Sequence, residues 1–378
     1  MAGIYIHIPF CKKACHYCDF HFSTSLQFKS EMIEALIHEL VLQKNYLEGQ
    51  KVETIYFGGG TPSLLEADEL TRILDALSAQ FNLANDLEIT LEANPDDLTI
   101  QKVKNFKQTP INRFSIGVQS FFDEDLMWMN RSHSASEAES AIKRAQDAGF
   151  ENITADLIYG YPLLSDEKWS TNIRQMLELH IPHISCYSMT IEPGTALAHF
   201  TKQGKSKPIN ERQSAAQFIE LMDKLQEAGF LHYEISNFAQ SGYESKHNTN
   251  YWKGEFYLGI GPSAHSFNGV SRQWNIANNA NYLAAIAKHQ VPAQVEVLTL
   301  NNRFNEYLMT SLRTHWGADM HYVRSNFGTE YANLVLAKAE TMLQKNWIKV
   351  EDEILVLTEE GKLFADHIAA EFFIIDHD

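Results

Sequence analysis

Six short apolar runs in the first half of the chain, each followed by helical spacing, limit its fold more than any other feature. They are Ile4 to Ile8, Thr54 to Phe57, Leu87 to Glu92, Arg113 to Val118, Asn152 to Ile158 and His183 to Ile191. Turn-formers or polar residues stop them: Pro9, Gly58-Gly59-Gly60-Thr61-Pro62, Asn94-Pro95, Gln119, Tyr159-Gly160-Tyr161-Pro162 and Pro193-Gly194. Residues 27–46 place Met32, Ile33, Leu36, Ile37, Leu40 and Val41 on one helical face. Similar patterns predict helices over 66–80, 135–148, 166–179 and 211–228. Strand–helix units in series give an α/β protein with a parallel sheet and helices outside it. Six units fall short of the eight of a closed TIM barrel, so the expectation is an open, partial (β/α)6 barrel over residues 1–230. In such folds the functional residues gather at the C-terminal ends of the strands. Gly58–Thr61, Glu92, Gln119 and Asp156 fall at or just after such ends, as does the loop after Pro9. They are predicted to share one mouth.

That first loop holds Cys11-Lys12-Lys13-Ala14-Cys15-His16-Tyr17-Cys18, which contains three of the four cysteines in the chain. Cysteines kept for packing scatter as small buried hydrophobes. Three thiols this close suit a group that wants three sulfurs, either zinc or an iron–sulfur cluster. Structural zinc takes four ligands, usually from paired knuckles. No second knuckle exists here, so His16, His21 or a distant residue would have to complete the set. A [4Fe–4S] cluster commonly takes four cysteines, so three leave one iron open, and an open position is a reactive one. Cys186 lies inside the sixth apolar run and reads as a packed thiol.

The 378 residues suffice for one large domain and a smaller one. A formal net charge of −17, with no sustained Lys/Arg run, argues against a nucleic-acid surface. No apolar stretch is long enough to span a membrane and the N-terminus lacks a signal peptide, so a reducing, cytoplasmic setting is expected. Beyond residue 230 the pattern changes. A connecting region over 231–300 holds a short strand at Tyr233 to Phe238, a polar loop through His247 to Trp252, and irregular Gly-rich chain around Gly254, Gly259 and Gly261-Pro262. Residues 302–316, 330–345 and 359–373 read as helices, with a hairpin over Trp347 to Leu357. They predict a small helical, winged-helix-like C-terminal domain over 301–378. Glu351, Asp352, Glu353, Glu359 and Glu360 make it too acidic for DNA, so it reads as a cap on the barrel.

The C-x3-C-x2-C spacing, followed about forty residues later by the Gly-rich turn, resembles the radical S-adenosylmethionine (SAM) superfamily. The resemblance implies a [4Fe–4S] cluster on Cys11, Cys15 and Cys18, with SAM filling the open iron position. In that family a reduced cluster cleaves SAM to methionine and a 5′-deoxyadenosyl radical. Glycines after a strand let backbone approach a ligand, and their carbonyls can accept from the SAM ammonium. Nearly the whole chain resembles the HemN/HemW group within that superfamily. On this resemblance Tyr5 and Tyr17 flank the cluster loop, while Gly59, Gly60, Thr61, Glu92, Gln119, Arg131 and Asp156 contact SAM. Arg131 suits the SAM carboxylate because a guanidinium can bind it bidentately.

Two branches of the group compete. HemN enzymes decarboxylate coproporphyrinogen III and carry a further cysteine where this chain has Phe20. They also carry a long N-terminal extension, whereas ten residues precede Cys11 here. HemW proteins are haem chaperones with an HNxxYW motif, matched by His247-Asn248-Thr249-Asn250-Tyr251-Trp252. The resemblance to HemW implies haem as cargo and acceptor haem proteins, respiratory enzymes among them, as partners. It leaves peripheral contact with a membrane open. Imidazole is a common haem ligand, and flat aromatic rings can cover a porphyrin, so the motif assigns haem to His247, Tyr251 and Trp252. The plainer reading is a surface histidine beside two packed aromatics.

Overall fold

Within the strands, residues alternate between apolar and polar, and the structure puts the two sets on opposite faces of one sheet. The computed structural model describes residues 1–375. The first half of the chain runs β1 (Ala2–Ile8), α1 (Lys29–Leu42), β2 (Val52–Gly59), α2 (Ala67–Gln80), β3 (Leu83–Ala93), α3 (Ile100–Phe106), β4 (Arg113–Gln119), α4 (Asp123–Trp128), α5 (Ala135–Asp147), β5 (Asn152–Tyr159), α6 (Asp166–Glu178) and β6 (His183–Ser188). Strands β1 to β6 pair in parallel, each with the next. Ile4, Ile6, Phe57, Leu91, Ile116 and Leu157 belong to the main core, on the helix-covered face. Each such side chain contributes roughly 1.5–3 kcal/mol relative to exposure, and this fixes the strand register. The alternate residues, among them Tyr5, Tyr56, Glu92, Arg113, Ser115 and Asp156, therefore face the concave side.

After β6 come α7 (Ala196–Lys202), α8 (Glu211–Glu227), β7 (Leu231–Glu234), β8 (Asn237–Ala239), α9 (Lys246–Trp252), β9 (Phe256–Ile260), β10 (His265–Phe267), β11 (Ser271–Asn275), α10 (Asn279–Ile286) and β12 (Ala293–Val297). The sheet order is β12-β11-β10-β9-β1-β2-β3-β4-β5-β6-β8-β7, and among the described residues no pairing closes the ends. The partial barrel is as expected, but three expectations beyond it need correcting. The strand predicted over Tyr233 to Phe238 is a hairpin, β7 and β8, that turns at Ile235 and Ser236. The chain read as irregular contains β9, a seventh parallel strand paired with β1. Its glycines serve close approach: a Cβ at Gly259 would meet the backbone of His265. The polar loop is helix α9, started by the Ser245 hydroxyl, which accepts from Asn248 N at 3.3 Å.

The last stretch holds α11 (Leu300–Leu312), β13 (Ala318–Asp319), α12 (Met320–Asn326), α13 (Thr329–Gln344), β14 (Ile348–Glu351), β15 (Ile354–Leu357), α14 (Glu359–Lys362) and α15 (Ala365–Glu371). The helix expected over 359–373 is thus two short ones. These helices and a three-stranded sheet surround a second core that includes Phe304, Leu308, Val335, Leu355 and Ile368. Ile235 packs against both cores. Among the described residues no helix is long and apolar enough to cross a membrane.

Candidate functional site

The cysteine loop leaves β1 at Pro9 and is held on several sides. Cys11 N donates to Ser23 O at 3.0 Å, His16 N to Met129 O at 3.1 Å, and Asn130 Nδ2 to Ala14 O at 2.8 Å. Lys12 pairs with Asp96 at 2.7 Å and also with Asp97. Cys11, Cys15 and Cys18 are half-buried and line one cavity of about 460 Å³ at the C-terminal ends of the strands. Thr61 Oγ1 and Arg131 Nη1 each point at a thiol, Cys11 Sγ and Cys15 Sγ, at 3.4 Å. Burial pushes the Cys11 thiol up and the Cys18 thiol up to about 11, whereas metal ligation would deprotonate them outright. Among the described residues no three His, Cys, Asp or Glu side chains converge as a single metal ion requires. Three thiols spaced around a cavity suit a larger cluster, and the Arg131 cation beside Cys15 suits its thiolates.

The same cavity is lined by Tyr17, Gly59, Gly60, Thr61, Glu92, Gln119, Arg131 and Asp156, so these predicted residues come together. Tyr5 does not line it. Its ring lies beneath Gly58, where an added Cβ would meet it at 2.8 Å, and its hydroxyl bonds His7 Nδ1 at 3.1 Å. Glu92 clasps the Gly-rich turn: Oε1 accepts from Tyr56 OH at 2.7 Å and Oε2 from Gly59 N at 3.1 Å. Burial raises the Glu92 carboxyl to about 7 and that of Asp156 to about 6, so both sit in dry, polar-lined surroundings.

Two expectations about this site change. A Cβ at Gly60 would meet Phe10 O at 2.5 Å and Ile8 O at 2.7 Å, so the missing side chain here serves the cysteine loop, while the residue still lines the cavity. Gly60 N donates to Ile8 O and Thr61 N to Phe10 O, sewing the turn to that loop. Arg131 also lacks a free fork for a bidentate carboxylate. Its Nη2 is held by Asn94 Oδ1 at 2.7 Å and Gly117 O at 2.8 Å, leaving Nε buried and unpartnered.

The cavity nevertheless fits SAM. Gln119 is forced to φ 68°, and its Oε1 is buried without a partner. A buried acceptor costs about 1–3 kcal/mol unless satisfied, and SAM brings ammonium, hydroxyl and adenine amine donors. Asn94, Tyr56, Ser115 and Met189 also line the cavity and were missed in the sequence. The polar members of the period-two alternation in β2 and β4 are the signal that points to Tyr56 and Ser115.

His247, Tyr251 and Trp252 lie elsewhere. Helix α9 sits at the other end of the strands, against β1, β2 and β9. His247 is only 2% exposed, with Nδ1 bonded to Thr54 Oγ1 at 2.8 Å and Nε2 unpartnered. Burial lowers its pKa to about 3, so it is neutral. Tyr251 packs edge-on between His247 and Tyr257, and the Arg313 guanidinium covers Trp252 at 5.5 Å. In this arrangement no porphyrin face can reach the imidazole.

Residues 5–176 match the model of the radical SAM superfamily, and residues 298–364 match that of the HemN C-terminal domain. A protein of Bacillus subtilis (strain 168) named heme chaperone HemW is 33% identical, over 98% of this chain and 99% of its own length. The protein of that name from Escherichia coli (strain K12) is 39% identical, over 70% of this chain and 69% of its own. The solved structure of the E. coli coproporphyrinogen III oxidase HemN, a radical SAM enzyme, superposes with a TM-score of 0.85. That match covers 98% of this chain and 90% of HemN at 22% identity, which speaks for the fold alone. Similarity along almost its full length, on this fold, places the chain in the HemW family of the radical SAM superfamily.

Proposed function

We propose that the protein is a haem chaperone that carries a [4Fe–4S] cluster on Cys11, Cys15 and Cys18, binds SAM in the adjoining cavity, and hands haem to acceptor haem proteins. The observation that supports the haem role is the end-to-end similarity to proteins named heme chaperone HemW. The cluster and SAM reading is supported by three thiols and the unpartnered Gln119 and Arg131 atoms around one cavity. When bound, the pair supplies one-electron chemistry at the SAM sulfonium. The chain's own part is to hold the Gly-rich turn through Glu92, to place the Arg131 cation beside Cys15, and to keep water out. Haem ligation by His247 would require α9 to leave its seat, because the imidazole is buried and bonded to Thr54.

The test is a haem titration of the full-length protein followed by incubation with an apo-haem protein. Transfer that restores the acceptor's haem spectrum is expected. A second reading, coproporphyrinogen oxidation, is disfavoured by Phe20, which is 67% exposed at the cavity in place of a cysteine. Sustained formation of protoporphyrinogen with reductant and SAM would move the protein to that enzyme class.

A further inference from the structure

A buried histidine with no route to the cavity still touches the cavity's wall. The His247 ring stacks on that of Tyr56 at 5.0 Å and 23°, and the Tyr56 hydroxyl is the donor that fixes Glu92 Oε1. The other Glu92 oxygen fixes the Gly59 amide. His247 is itself held from three strands. Thr54 on β2 bonds Nδ1, Gly3 on β1 leaves room for the ring, and Glu88 Oε1 on β3 accepts His247 N at 3.0 Å. A ring so constrained is a fixed surface, and it sets how far the Tyr56 ring can tilt. Tyr56 has to keep its tilt to reach Glu92 at 2.7 Å.

We propose that His247 is a positioning residue for the SAM cavity: it props Tyr56, so that Tyr56 holds Glu92 and Glu92 holds the Gly-rich turn. The role rests on the reading of that cavity as the SAM site. It gives the motif histidine a task in the closed protein that needs no iron. The ring, and not the nitrogen chemistry, carries this task. A flat apolar ring at position 247 should therefore substitute for it, whereas a methyl should not.

The experiment is calorimetric titration of SAM into full-length, anaerobically reconstituted protein, with iron content and melting temperature measured alongside. Loss of the ring in His247→Ala should weaken SAM about three- to tenfold, the scale of a lost aromatic contact. His247→Phe should stay within about twofold of wild type, on the same scale. Gly3→Ala is an independent arm that leaves the imidazole in place. Its Cβ would stand 2.8 Å from Thr54 Oγ1 and 3.3 Å from the His247 ring, so it should weaken SAM as His247→Ala does. Unchanged affinity in His247→Ala with the cluster present overturns the positioning role alone. So does a loss accompanied by equal loss of iron or of cooperative melting, or a loss in His247→Phe as large as that in His247→Ala. Wild-type protein with a full cluster and no SAM binding would overturn the cavity reading, and the positioning role with it.

Discussion

At the scale of residues, the four cysteines divide by surroundings and not by type. Cys11, Cys15 and Cys18 line a cavity, while Cys186 is 1% exposed among core side chains. Cys15→Ser should therefore abolish the cluster, read as loss of iron and of the visible thiolate-to-iron absorption, whereas Cys186→Ser should leave both intact. Gly60 gives a different pattern from the one its place in a Gly-rich motif suggests. Because a Cβ there meets Phe10 and Ile8 backbone, Gly60→Val should disturb the cysteine loop and lower iron content together with SAM affinity. Iron analysis before and after reconstitution checks this. SAM loss with full iron would return the glycine to a direct ligand role. The cavity residues were legible where they close a strand, as Glu92 and Gln119 do, or stand as a lone acid in an apolar run, as Asp156 does inside β5. Tyr56 and Ser115 were not, because each stands one residue from a core side chain and reads as part of an apolar run.

At the scale of elements, the parallel strands and their helices were legible because two periodicities, near two and near 3.6, alternate along the first half of the chain. Helix α9 was not. It has seven residues, is largely polar, and has too few turns to show a period. Beside its local Ser245 cap, what holds it is distant in sequence: the Glu88 oxygens accept from Lys246 N at 3.1 Å and His247 N at 3.0 Å in its first turn. Glu88→Ala should cost about 1–2 kcal/mol at this turn. The expected sign is faster amide exchange over residues 246–252 than in wild type, with the strands still protected. Exchange unchanged there would show that packing alone holds the helix. Strand β9 escaped for a similar reason, since Gly259 weakens its propensity and its register comes from its partners, β1 on one side and β10 on the other.

At the scale of the whole molecule, the two cores are joined through a few backbone and ring contacts. Ile235 N donates to Arg313 O at 3.0 Å and His315 N to Tyr233 O at 3.1 Å. Lys362 meets His232 at 2.9 Å, and burial lowers its pKa. Arg313 reaches from this junction to the Trp252 ring and also pairs with Asp366. Arg313→Ala should lower stability by about 0.5–2 kcal/mol. A lower denaturant midpoint with the far-UV spectrum retained is the expected result, and an unchanged midpoint would remove Arg313 from the junction. Such contacts join residues more than fifty positions apart, which is why the sequence predicts a C-terminal unit and not how it meets the barrel.

Helix α9 lies across the far ends of β1, β2 and β9, so the cavity beside them is entered from the thiol-lined mouth. A blind alley enforces an order of traffic. Whatever lodges deepest must enter first and depart last, and a broad flat guest at the opening would trap everything behind it. On the proposed reading of the cavity as a SAM site, exchange of SAM should then slow in proportion to how fully the mouth is covered, with no change in the contacts at the bottom.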